Sequence, residues 1–254
     1  MGRLLVSLAH AHPEVQLVGA IEAPGHPLLG EDVGILVGTP LGVPLGAELA
    51  AICQPEHVVI EFTGNPAATL AHARVAADRG AALVVGTTGL GADEDAELRR
   101  LACRTRSIVA ANFSVGVTVL RELVERAARL LDATFEAEIV ELHHHGKQDA
   151  PSGTALMLGR TIAEARGIDF AEAAVLARQG HVGARQPGEI GIVGLRAGDI
   201  IGDHTVLFGG LGERIELVHR AQSREGLARG ALRAAAWVRR QAPGLYTMRD
   251  VLGL

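Results

Sequence analysis

Glu141-Leu142-His143-His144-His145-Gly146-Lys147-Gln148-Asp149-Ala150-Pro151-Ser152-Gly153-Thr154 gathers three imidazoles, an amine and two carboxylates into 14 residues. Before it, Phe135 to Leu142 is rich in apolar and β-branched residues and reads as a strand. After it, Thr154 to Arg166 reads as a helix, with Ala155, Leu158 and Ile162 on one side. Pro151 and Ser152 stand where that helix begins, with Ser152 as its N-cap. The backbone N–H groups of Ser152, Gly153 and Thr154 are then expected to be unpaired and to point outward. Gly153, lacking a side chain, lets a ligand come close to them. The stretch thus joins an anion cradle to groups suited to proton transfer.

Strands and helices alternate on the N-terminal side. Met1 to His12 reads as a helix stopped by Pro13, and Val15 to Ile21 as a buried strand ending at Glu22. Pro24 to Pro44 is Gly- and Pro-rich loop, and Leu45 to Cys53 fits a short helix. Val58 to Phe62, Ala82 to Val85 and Ser107 to Ala111 read as strands, with helices over Ala67 to Arg79 and Asp93 to Cys103. That alternation implies a parallel sheet. Val117 to Leu131 is a long amphipathic helix. Beyond Arg166 the pattern changes. Glu189 to Arg196, Ile200 to Leu207 and Arg214 to Ala221 are three strands joined by short turns, which implies antiparallel pairing. Arg224 to Arg240 is helical again. The fold class is therefore α/β: a Rossmann-like parallel-sheet domain plus an α+β domain with a mixed or antiparallel sheet.

Composition narrows the function. The 254 residues are 48% hydrophobic, enough for a substantial core. A net charge of −5 and an aromatic content of 3% argue against a nucleic-acid partner. No apolar run approaches a membrane span, and no signal peptide precedes the first helix, so no membrane partner is expected. Cys53 and Cys103 lie far apart and suggest neither a disulfide framework nor a Cys-based metal site, which fits a reducing, cytoplasmic setting.

The three histidines have competing readings. If the chain is extended there, His143 and His145 face one way and His144 the other. A His-x-His pair can bind zinc. No further ligands are evident, although folding could bring in His181, His204 or His219, and Lys147 would add positive charge against a metal. A solvated cluster at a strand end is the bland alternative. Asp149 either pairs with Lys147 or fixes the turn.

The pattern His143-His144-x-x-Lys147-x-Asp149-Ala150-Pro151-Ser152-Gly153-Thr154 resembles the signature of the 4-hydroxy-tetrahydrodipicolinate reductase (dihydrodipicolinate reductase) family. The resemblance covers nearly the whole chain. It implies reduction of a cyclic dicarboxylate by NAD(P)H, in the route to diaminopimelate and lysine. His143 and Lys147 match the family's proton-transfer residues, His144 a substrate contact, and Gly153 and Thr154 the contacts to the substrate carboxylate. Glu22, the Gly86-Thr87-Thr88 loop and Ala111-Asn112-Phe113-Ser114 match its cofactor contacts. No metal is implied. Ala23 stands where relatives that accept the 2′-phosphorylated cofactor often carry Arg, so NADH is expected to be preferred, with NADPH possible. The resemblance further implies a dinucleotide-binding domain of residues 1–114 and 224–254, a substrate-binding and oligomerisation domain of residues 115–223, and a homotetramer. Arg196-Ala197-Gly198-Asp199-Ile200 and Gly212-Glu213-Arg214 are also similar to the family, whose oligomer contacts lie on that sheet. In the family a strand and a glycine-rich turn come before the first helix, and only Met1-Gly2-Arg3 matches the end of that turn. The chain then reads as starting at an internal methionine. Its alternative reading is a non-catalytic or cofactor-binding-defective relative that keeps the fold.

Overall fold

A computed structural model describes residues 1–254. In chain order its elements are α1 (Gly2–His10), β1 (Ala20–Ile21), β2 (Leu45–Gly46), β3 (Val58–Glu61), α2 (Pro66–Arg79), β4 (Ala82–Val85), α3 (Ala92–Ala102), β5 (Arg106–Val109), α4 (Val115–Leu130), β6 (Glu136–His143), α5 (Gly153–Arg166), α6 (Phe170–Ala173), β7 (Ala174–Val175), β8 (Ile190–Arg196), β9 (Gly202–Gly209), β10 (Arg214–Ala221), α7 (Glu225–Val238), β11 (Gly244–Tyr246) and α8 (Met248–Leu252). The chain divides into one unit of residues 1–115 and 225–254 and a second of residues 116–224.

In the first unit β11, β5, β4 and β3 form a parallel four-stranded sheet in that order. Ala82–Val85 is fully buried, as an apolar run in a central parallel strand should be. Each following helix starts where local chemistry allows. Asn65 caps α2 by accepting the Ala68 N–H at 3.1 Å, Pro66 takes a first-turn position, and left-handed Gly80 ends the helix. Helix α7 is lined by small residues. A Cβ on Gly230 would lie 1.8 Å from the Phe113 carbonyl oxygen, so only glycine lets α7 approach the loop after β5.

Two expectations change here. The strand read over Val15 to Ile21 shrinks to Ala20–Ile21. It pairs with Leu45–Gly46 in a separate parallel two-stranded sheet, and Val18 is half exposed. Residues 15–19 find no ladder partner, and without one an apolar run does not become a strand. The helix read over Leu45 to Cys53 is instead β2 followed by a single 3₁₀ turn at Leu49–Ala51. The short elements α6, β7, β11 and α8 were not read from the sequence at all.

The second unit is a five-stranded mixed sheet in the order β10-β9-β6-β8-β7. Only β9 and β10 form the expected hairpin. The link from β8 to β9 crosses β6, which pairs parallel with β8 and antiparallel with β9. A short connection had suggested adjacency, but β6 takes the centre and separates its two successors. Ala137, Ile139, Ile190, Ile192, Val206 and Phe208 on one face pack against Leu120 and Val124 of α4 and Leu158 and Ile162 of α5. Full burial of each large apolar side chain contributes about 1.5–3 kcal/mol. On the opposite face, Val193, Leu195 and Val218 stay 43%, 46% and 43% exposed.

Candidate active site

Alternation along β6 turns Ala137, Ile139, Glu141 and His143 toward the helix-covered face. Glu141 is fully buried there. Arg196, near the end of β8, forks onto it, with Nη2 donating to Oε1 at 2.9 Å and Nη1 to Oε2 at 3.0 Å. The Ser152 N–H donates to Oε1 at 3.1 Å, and the His143 Nδ1 meets Oε2. Burial works to raise the Glu141 carboxyl, but the donors, Arg196 first and His143 next, outweigh it and hold the group below the ordinary glutamate range.

Opposite Glu141 on β9 stands His204, whose Nε2 lies 3.1 Å from the Ser152 hydroxyl and whose ring packs edge-on to His143 at 5.3 Å. Burial, reinforced by the neighbouring His143, pushes the His204 imidazole down to about 4, so it is neutral near pH 7. The Ser152 hydroxyl also accepts the Ala155 N–H at 3.2 Å, which makes Ser152 the N-cap of α5 as expected.

The turn between β6 and α5 is clamped from several sides. Lys147 Nζ donates to Asp149 Oδ1 at 2.7 Å, and that ammonium holds Asp149 below the usual carboxylate range. The Asp149 carbonyl accepts from Arg196, so Asp149 both pairs with Lys147 and fixes the turn. His145 is tied to the Gly198 carbonyl through Nδ1 at 2.9 Å and through its N–H at 3.2 Å. β6 ends at His143, so the strict alternation expected for His143, His144 and His145 does not hold. The amide cradle is also narrower than expected, because the Ser152 N–H is committed to Glu141. Gly153 keeps open space where a side chain would stand.

His143, Lys147, Gly153 and Thr154 thus surround one strand-to-helix turn. Glu141, Arg196 and His204 join them, together with Ser152, which was read only as the helix cap and part of the amide cradle. Glu141 carried no assigned role, Arg196 was read with the oligomer contacts and His204 only as a possible metal ligand. One signal for Glu141 was present in the sequence: a carboxylate in the inward register of an otherwise apolar strand must be partnered. Besides His143, its partners lie 11 and 55 residues away and had no such signal. No group of three or more His, Cys, Asp or Glu side chains is arranged to hold a metal ion. No helix is long and apolar enough to cross a membrane.

In the first unit, Glu61, Val85 and Val109 are level at the carboxyl ends of β3, β4 and β5. Gly86-Thr87-Thr88 and Ala111-Asn112-Phe113-Ser114 leave from that edge, where open parallel sheets bind ligands. Thr88 and Ala111 are exposed, whereas Thr87, Phe113 and Ser114 turn inward. The Thr87 hydroxyl donates to Glu61 Oε2 at 2.7 Å and accepts the Gly64 N–H at 3.1 Å, and Phe113 packs on Phe62 at 5.5 Å. Glu22 follows β1 in the separate small sheet, where its carboxylate accepts the Ala23 N–H at 2.8 Å.

Comparison with known proteins completes the picture. Residues 1–113 match the family described as dihydrodipicolinate reductase, N-terminus, and residues 116–252 its C-terminus counterpart. Proteins named 4-hydroxy-tetrahydrodipicolinate reductase from Afipia carboxidovorans and Rhodopseudomonas palustris are 47% and 49% identical over 255 residues. These alignments cover 100% of this chain and 93% and 94% of the relatives. Among solved structures, dipicolinate-bound dihydrodipicolinate reductase from Paenisporosarcina sp. TG-14 superimposes with a TM-score of 0.73 at 24% identity, covering 98% of this chain and 94% of that one. An amine dehydrogenase from Mycobacterium smegmatis gives 0.57 at 15% identity, covering 98% and 92%. Both share the fold.

Proposed function

We infer the function from the premise that this chain belongs to the dihydrodipicolinate reductase family. It is a 4-hydroxy-tetrahydrodipicolinate reductase of diaminopimelate and lysine biosynthesis and depends on NAD(P)H. The observation that carries this reading is full-length similarity to curated reductases at 45–49% identity. The test is direct: purified protein should oxidise NAD(P)H only when 4-hydroxy-tetrahydrodipicolinate is present. Absence of that dependence refutes the reading.

Residue roles follow as proposals. The dinucleotide is held by Glu22, by the Gly86-Thr87-Thr88 loop and by the Ala111-Asn112-Phe113-Ser114 loop. Exposed backbone at Thr88 and Ala111 fits that use, while buried Thr87 and Phe113 shape the loops from beneath. When bound, the nicotinamide supplies hydride. A substrate carboxylate rests at the start of α5 against Gly153 and Thr154, where the helix dipole and open space favour an anion. His144 adds a contact to the substrate. Lys147 and His143 deliver the proton, and the fixed α5 start orients the ring for them. Residues 1–115 and 225–254 form the dinucleotide-binding domain, and residues 116–224 bind substrate and carry the oligomer contacts.

NADH is the preferred cofactor in this reading. The Glu22 carboxylate suits ribose hydroxyls, and Ala23 offers no cation to a 2′-phosphate. A higher kcat/KM for NADPH than for NADH defeats it. The apolar face carrying Val193, Leu195 and Val218 supports assembly into a homotetramer, which light scattering of the purified protein tests.

A further inference from the structure

We propose that Glu141 is a positioning residue for proton transfer: its buried carboxylate fixes the tautomer and orientation of His143 and, through the same oxygens, the start of the helix that holds the substrate. This rests on the assignment of His143 as a proton-transfer group and goes a step further, by naming what makes that imidazole competent.

The geometry carries it. His143 Nδ1 meets Glu141 Oε2, and the Ser152 N–H donates to Oε1 of the same carboxylate. Carboxylate oxygens only accept, so Nδ1 must carry the hydrogen. The exchangeable site is then Nε2. That nitrogen faces Gly202 of β9, where a Cβ would stand 2.9 Å from it, so the absence of a side chain there gives the ring its place. Arg196 forks onto both oxygens of Glu141 and compensates a charge that no water reaches. Ser152 is the residue immediately before Gly153. One rigid group therefore sets both the proton donor and the anion cradle, which keeps them in register.

The carboxylate also sets the charge that the ring faces. The titratable and charged groups around His143 are Glu141 on its own strand, Arg196 on β8 and His204 on β9, with His219 beyond it on β10, and Lys147 and Asp149 in the following turn. Among the groups fixed within hydrogen-bond reach of the ring, the negative charge is that of Glu141. Removing it leaves the ring with no anion within hydrogen-bond reach.

Two measurements on the full-length protein test the proposal. The first needs no variant. Nitrogen-15 NMR of the histidine side chains, with His143 identified by its loss in His143→Asn, should show the neutral ring protonated at Nδ1. Protonation at Nε2 overturns the proposal. The second compares Glu141→Gln with Glu141→Asp. The amide keeps an acceptor for Ser152 but loses the charge. kcat should fall by about 10²-fold or more, the limb of the pH–kcat profile where a required protonated group is lost should move to lower pH, and KM should change little. Glu141→Asp retains the charge and should restore much of kcat and the original limb. A carboxylate that merely braced the fold would leave the limb where it was, and an unmoved limb in a folded Glu141→Gln protein overturns the proposal. His143→Asn separates the two levels. If that variant keeps full kcat, the proton-transfer assignment fails; if it is inactive while Glu141→Gln is unaltered, only the positioning role fails.

Discussion

Each unit buries one glutamate near the carboxyl end of a strand, and the two are held in opposite ways. Glu61, at the end of β3, is gripped by neutral donors: Thr87 at 2.7 Å, Thr69 at 2.8 Å and the Thr63 N–H at 2.9 Å, with His72 farther off at 3.9 Å. Glu141, near the end of β6, is gripped by a guanidinium and an imidazole as well as an amide. The first carboxylate fastens loops to a sheet. The second is wired to His143, the imidazole proposed to transfer the proton. Burial alone does not distinguish a fastener from functional machinery; the donors do.

The largest expected break in this symmetry is at Lys147. Lys147→Ala removes the amine beside the β6 turn and should lower kcat by about 10²-fold or more while NADH binding persists. Tryptophan quenching or calorimetry checks the binding, and steady-state rates check the loss. An equivalent change in the partners of Glu61, such as Thr69→Val, should leave kcat nearly intact.

Next in size is Glu61→Ala. It strands the donors of Thr63, Thr69 and Thr87 in a buried site, so stability should fall by about 3–5 kcal/mol, read from denaturant unfolding. The companion Glu61→Gln keeps acceptor capacity and should lose less.

Acid should part the two units without any mutation. In Glu61, burial works to raise the carboxyl, but His72 and the Thr63 and Thr87 donors outweigh it and bring it down to about 2 from 4.5. His204 is down to about 4 from 6.5. Both folded values lie below the unfolded ones, so the unfolded chain takes up the proton more readily. Each contribution is present above the unfolded value and is lost as pH falls through the folded one. For His204 the window runs from 6.5 to about 4, and for Glu61 from 4.5 to about 2. Each shift corresponds to about 3 kcal/mol. Hydrogen exchange, corrected for intrinsic rates, should show β6 and β9 losing protection between pH 6 and 4.5 while β3 and β4 keep theirs. Simultaneous loss across both units would remove this distinction.

The same contrast explains what the sequence disclosed. Ala82–Val85 and Arg214–Ala221 were legible to the residue because local pattern and burial agree there. The signature around Lys147 was legible because its residues are contiguous. The Val15 to Ile21 reading failed because a strand needs a partner, and no local pattern reports whether one arrives. The crossing of β6 by the β8–β9 link was hidden for the same reason. Arg196 and His204 reach Glu141 only through pairing of β8 and β9 with β6, so their place in the site is a property of strand order. Residues that act through neighbours in sequence could be read, whereas residues that act through the sheet could not.

The smallest expected effect is at Gly153, and it is informative because Gly86 stands at a comparable strand-to-helix link in the other unit. A Cβ on Gly86 would lie 2.1 Å from the Phe62 ring, so Gly86→Ala must push on the first unit's core and lower Tm. A Cβ on Gly153 meets nothing within 4 Å, and its φ is not in the left-handed region. Gly153→Ala should therefore leave Tm unchanged or slightly raised, since alanine suits a helix better than glycine. If the open space serves the substrate carboxylate, the added methyl stands where that anion must approach. KM for the dicarboxylate should then rise several-fold, about 1 kcal/mol of lost binding, while KM for NADH and the pH profile stay fixed. The glycine with no structural reason to be a glycine is the one whose replacement should be felt only by the ligand; if KM stays at its original value, the cradle lies elsewhere.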